Sequence, residues 1–65
     1  MKVLVLRGYS SSDYYFKGYD NFGFRLFTQN IEEAKRFDNY GDYCTLLRIL
    51  KLEFCECEVF MDDVA

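Results

Sequence analysis

The sequence predicts a small α+β domain, one antiparallel sheet with two helices on one face, in the order β-β-β-α-α-β. Three observations carry this expectation. Short β-branched and aromatic runs stand near both ends of the chain and on either side of Asp20-Asn21-Phe22-Gly23. Apolar residues recur at three- and four-residue spacing between Ile31 and Leu50. There is no proline, repeat or low-complexity tract that would mark a linker. At 65 residues the chain is one domain, residues 1–65.

The elements follow in order. Val3-Leu4-Val5-Leu6 is short and β-branched, a strand. Residues 9–13 read as a loop, and the aromatic run 14–19 as a second strand. Asp20, Asn21 and Gly23 tolerate unusual backbone angles, so 20–23 is a turn and 24–27 the returning strand of a hairpin. Asn30 then opens a helix. Its side chain suits the amide of Glu33 and Glu33 can reach back, the capping-box arrangement. Ile31, Ala34 and Phe37 fall on one side of that helix, with Glu32 and Arg36 four apart on the other. Asp38-Asn39-Tyr40-Gly41 breaks it. A second helix starts near Asn39 or Asp42 and places Tyr43, Leu46, Leu47 and Leu50 at i, i+3, i+4 and i+7. Arg48 and Lys51 lie toward its C-terminus, where the helix dipole favours cations. Residues 53–60 alternate, with Cys55, Cys57 and Val59 on one face against Glu56 and Glu58, which predicts a half-buried last strand.

Composition bounds the function. A chain this short buries only about 60% of its unfolded surface, yet it carries seven Phe and six Tyr. Some rings must therefore reach the surface, where apolar patches mark interaction sites. A homodimer or a partner-binding face is the expectation. Eleven acids against eight bases argue against a dedicated DNA binder, which carries a basic stripe. The apolar run before Arg7 is only four residues, Val3 to Leu6, too few for a signal-peptide core, and no stretch approaches a membrane span. The expected setting is the cytoplasm, without membrane attachment and with the three cysteines reduced and free.

Catalytic chemistry finds few candidates. The chain has no histidine, hence no ordinary general base near neutral pH and no Ser-His or Cys-His pair. The carboxylates distribute as solvated faces, and Gly8, Gly18, Gly23 and Gly41 form no phosphate-cradling loop. Cys55 and Cys57 could share a metal with Cys44, but structural zinc wants four ligands. The expectation is that these thiols fill the core, with no metal, no cofactor and no enzymatic activity. The acids Glu53, Glu56, Glu58, Asp62 and Asp63 crowd the C-terminal segment. Such a run can mimic a phosphate backbone, although it also serves solubility and discourages edge-to-edge strand pairing.

The hairpin offers a binding face. Strand parity puts Tyr14 and Phe16 on one side with Phe24 and Leu26, an apolar set fit for the core. The other side mixes Tyr15, Lys17, Tyr19, Arg25 and Phe27, and these five are the candidate site. Rings interleaved with cations can anchor a protein partner, stack nucleotides or single-stranded nucleic acid, or pack across strands and a dimer interface.

The segment Phe27-Thr28-Gln29-Asn30-Ile31-Glu32-Glu33-Ala34-Lys35-Arg36-Phe37-Asp38 resembles a pattern in small uncharacterised proteins of tailed bacteriophages and prophages. There a hairpin leads to a "Thr-x-Asn/Asp-x-x-Glu-Ala-x-x-Phe" helix, a second helix and a final strand, and the similarity runs from about Tyr14 to Phe60. The resemblance implies a setting: a phage-type inhibitor or modulator that binds and blocks a bacterial host or defence protein. The alternative is a module that sequesters a nucleotide or nucleic acid.

Overall fold

The computed structural model describes residues 1–8 and 12–64. Four strands, β1 (Lys2–Arg7), β2 (Asp13–Tyr19), β3 (Arg25–Thr28) and β4 (Glu58–Asp63), form one antiparallel sheet in the order β3-β2-β1-β4. One helix, α1 (Tyr40–Glu53), covers a face of it. The order is thus β-β-β-α-β. The α+β class holds, but one helix replaces the two expected. Of the expected loop 9–13, residues 9–11 lie outside the described residues, and Asp13 already belongs to β2.

The missing helix is a single 3-10 turn, Ile31–Glu33. Asn30 does cap it, accepting from the amide of Glu32 at 3.0 Å. Glu33 does not reach back; its carboxylate takes the Thr28 hydroxyl at 2.8 Å, and that hydroxyl also accepts from the amide of Asn30. The chain leaves in extended conformation at Ala34 and is used elsewhere. Lys35 donates its amide to the Phe16 carbonyl at 2.9 Å, and Phe37 exchanges two backbone hydrogen bonds with Lys2, at 2.9 and 2.8 Å. These bonds fill a split in the sheet. β1 pairs with β2 only from Val5 to Arg7, because the hairpin diverges after Tyr15. A helix over 31–37 would satisfy its own backbone and leave the inner groups of Lys2 and Phe16 without partners. Buried backbone rarely tolerates that.

The same segment divides its side chains between two cores. On the helix side Leu4, Phe16, Phe37, Tyr43, Leu50 and Val59 form one buried cluster, joined by Leu6, Phe27, Leu46, Leu47, Phe54 and Met61. On the opposite side Val3, Val5 and Ala34 are buried with Tyr15, Phe60 and Val64 packed around them. Ala34 and Phe37 therefore dock on opposite faces, not together as a helix stripe requires.

Helix α1 follows its pattern. Asn39 caps it by accepting from the amide of Gly41 at 2.8 Å, and Tyr43, Leu46, Leu47 and Leu50 face the sheet. It runs on through the expected start of the last strand, so β4 begins at Glu58 and not at residue 53. Residues 53–57 carry both a strand-like alternation and a continuing helical stripe, since Phe54 lies four beyond Leu50. Packing of Phe54 against Phe27, ring centroids 5.8 Å apart, favours the helical solution. Cys55 is consequently exposed and Cys57 half-buried in the connection, Cys44 is half-buried on α1, and none of the three belongs to either buried cluster, so the expectation that the thiols fill the core fails.

Phe16 sits at the centre, with its ring against those of Tyr19, Phe27 and Phe37 at 5.4, 6.1 and 6.3 Å. Phe16→Ala should cost about 3–5 kcal/mol in urea denaturation, enough to leave much of so small a domain unfolded. Cys55→Ala should stay within about 0.5 kcal/mol of the parent. Iodoacetamide labelling of the folded protein, read by peptide mapping, should modify Cys55 before Cys44 and Cys57.

Candidate functional site

The five hairpin residues do not share one face. A bulge shifts the register between Phe16 and Gly18, so that Phe16 faces Phe27 and Gly18 faces Leu26 with Lys17 left over. Gly18 takes φ +138 there, a value side-chain-bearing residues rarely adopt. Simple alternation cannot see an inserted residue, and each side chain beyond it lands on the other side. Tyr19, beyond the bulge, accordingly joins Phe16 on the helix side; Phe27 is there as the cross-strand partner of Phe16 and closes against Phe54. Arg25 is there too, with Nη1 donating to Glu53 at the end of α1 at 2.7 Å. Its buried Nε has no hydrogen-bond partner among the described residues. Tyr15 lies on the opposite face with Val3 and Val5. Lys17 is exposed and stands 4.0 Å from Glu33. A single stacking platform of Tyr15, Tyr19 and Phe27 is not what the fold brings together.

What the fold does present is the hairpin tip. The Asp20 carboxylate accepts from the amides of Phe22 and Phe24, at 2.8 and 2.9 Å. The Asp20 amide donates to the Phe24 carbonyl at 2.9 Å, and Gly23, at φ +84, donates to the Asp20 carbonyl. Four hydrogen bonds thus lock a tight turn that holds two phenylalanines in solvent, Phe22 84% and Phe24 70% exposed. At its base Leu26, on the face of Phe24, is 38% exposed, and Tyr19, on the helix side, is 55% exposed. The Arg25–Glu53 ion pair ties this end of the hairpin to the end of α1, where Leu52 is 81% exposed.

Sequence reasoning assigned Phe24 to the core and passed over Phe22. The signal was present in Asp20-Asn21-Phe22-Gly23-Phe24, two rings bracketing the one residue that must turn. Burying a Phe side chain is worth about 1.5–3 kcal/mol, so two exposed rings on a rigid turn store binding energy that folding does not use. Among the described residues no group of three or more Cys, Asp or Glu is arranged to hold a metal, and no cavity opens. Cys44, Cys55 and Cys57 do not form a ligand set. No helix of the described residues is long and apolar enough to cross a membrane.

No family model matches the chain, and no match emerges among curated proteins or solved structures.

Charge on the sheet is organised in cross-strand pairs. Arg7 grips Asp13 with two hydrogen bonds, at 2.8 and 3.1 Å, while its guanidinium lies 5.0 Å from the Phe60 ring centre. Lys2 bonds Asp63 at 2.9 Å. Hydrogen bonding to these cations holds both carboxyls below their ordinary range, and the bond to Asp63 raises the Lys2 ammonium above its own. The acids bind protons less readily when folded. Their contribution is therefore present above the unfolded value near about pH 4 and is lost as pH falls through the lowered folded values. For Lys2 the contribution is present below about pH 10.4 and is lost as pH rises through its raised value. Thermal denaturation of Asp13→Asn should be less sensitive to acid than the parent between about pH 5 and pH 2, with both curves flat from about pH 6 to 9. Equal acid sensitivity would show that the Arg7–Asp13 pair is immaterial.

Proposed function

We propose that the chain is a phage-type inhibitor or modulator that binds a bacterial host or defence protein stoichiometrically, in the host cytoplasm and without catalysis of its own. The observation that supports this reading is the hairpin tip, with Phe22 and Phe24 held in solvent by the Asp20 turn. Rigid aromatic side chains lose little entropy on binding, and such anchors concentrate interface energy when they enter a partner's pocket. The acidic residue at the base of the turn and the net charge of −3 disfavour insertion into an anionic membrane surface. The bacterial setting rests on the resemblance of residues 27–38 to phage proteins. The alternative, a nucleotide- or nucleic-acid-sequestering module, draws less support because Tyr15 stands on the face opposite Tyr19 and Phe27.

The test compares the parent with a Phe22→Ala, Phe24→Ala variant. The two should melt alike, because the deleted rings touch solvent. A host protein captured by the parent and identified should bind the purified parent at equal stoichiometry in calorimetry. The variant should bind it at least about 30-fold more weakly, the loss of about 2 kcal/mol expected of a central anchor. Unchanged affinity would remove the tip from the interface. Micromolar, salt-sensitive binding of nucleotides or short single strands, lost in a Tyr15→Ala, Tyr19→Ala variant, would favour the alternative.

A further inference from the structure

The sheet has two edges, β3 and β4, and they differ in how they are protected. β4 carries exposed Glu58 and Asp62, so pairing with its own copy would bring acids together. That is a common guard on an edge strand. β3 has no such guard. Its one charged residue, Arg25, is neutralised by Glu53 at 2.7 Å, and neither proline nor acid interrupts it. Its backbone is also poised. The Phe24 carbonyl turns inward to the Asp20 amide, and backbone groups alternate along a strand, so those of Arg25 and Phe27 point outward. The other side of the hairpin gives the same phase. The Phe16 carbonyl turns away from β3 to Lys35, which makes Phe16–Phe27 a non-hydrogen-bonded pair and leaves Phe27 facing out.

We propose that β3 pairs antiparallel with β3 of a second copy of this chain, about a two-fold axis at Leu26. Arg25 then lies opposite Phe27 of the second copy, and the two such pairs around the axis satisfy the outward groups of both residues with four hydrogen bonds. Leu26 meets Leu26 of the second copy in a non-hydrogen-bonded pair, with Cα atoms about 4.5 Å apart. A one-residue slip would set outward groups against inward ones and turn the helix side of one copy to the other's bare side. A two-residue slip toward the turn would oppose Arg25 to Arg25. The chosen register avoids both and joins the two sheets with their helices on one side. The seam is a short one, four backbone hydrogen bonds around one Leu–Leu contact and far from a standard interface of about 800 Å² per partner, so the dimer is dissociable. Because the strands run antiparallel, the two Phe22 tips point away from the axis and stay free.

Sedimentation equilibrium from about 10 μM to about 1 mM should show the mass rising from monomer toward dimer. Leu26→Lys keeps the fold, since Leu26 is partly exposed, but sets like charges face to face and should weaken association at least about 10-fold. Register is read by cross-linking in a Cys44→Ser, Cys55→Ser, Cys57→Ser background. There Leu26→Cys, treated with oxidised glutathione, should form an intermolecular disulfide, two thiols losing their hydrogens as glutathione disulfide is reduced to two thiols. The Cα separation suits that bond. Thr28→Cys, which faces Phe24 of the second copy, should cross-link much more slowly. A monomer across the whole range, a dimer indifferent to Leu26→Lys, or equal cross-linking at both positions would overturn the proposal.

Discussion

Two hydrogen bonds between Phe37 and Lys2, with a third from Lys35 to Phe16, close the gap where the β2–β3 hairpin leaves β1. Most of the molecule is arranged around that closure. The hairpin can diverge because another backbone takes its place beside β1. Having diverged, it carries Phe16 and Phe27 over to meet Phe37 and the end of α1. The inserted segment lies extended between β1 and β2, so its side chains alternate between the faces, and this is how Ala34 seals Val3 and Val5 while Phe37 serves the helix side. A small chain thereby fills a core on both faces of one sheet with a single helix.

The hairpin gains a second consequence from its divergence. A strand held on one side alone would be loose, but β2 and β3 are pinned at three places: the ring cluster around Phe16, the Arg25–Glu53 ion pair and the Thr28–Glu33 hydrogen bond. Exposed ion pairs are each worth little, about 0–1 kcal/mol. Their value here lies in direction, since they fix which way the tip points. Asp20 then orders the last four residues of the turn with its own carboxylate. A projecting aromatic tip on a braced hairpin is preorganised for contact, and preorganisation lowers the entropic cost of binding.

Some of this was legible in the residues. The strand at residues 3–6, the hairpin with its turn at 20–23, and the helix face of Tyr43, Leu46, Leu47 and Leu50 are local patterns backed by local chemistry. Asn30 caps the 3-10 turn and Asn39 caps α1, as their side chains allow. The candidate site was legible in kind, an aromatic hairpin, and misplaced in detail. The register that sets Phe16 opposite Phe27 put Phe27 and Arg25 on the helix side, and the bulge at Lys17 brought Tyr19 there too, neither of which a count of alternation anticipates.

Sequence alone determined the α+β class, the hairpin and the amphipathic helix, because in each the side-chain period and the turn or cap residues agree within about a dozen positions. Tertiary structure decided three other matters. It made residues 31–37 a single 3-10 turn followed by an extended filler segment and not a helix, since distant backbone groups on Lys2 and Phe16 needed partners that a helix could not supply. It carried α1 to Glu53 and delayed the last strand to Glu58, since Phe54 found Phe27. And it put Phe22 and Phe24 in solvent, since the helix reaches the base of the hairpin at Arg25 and nothing among the described residues reaches beyond it. Each outcome turns on groups far apart in the chain, where local spacing carries no information about which partner will arrive.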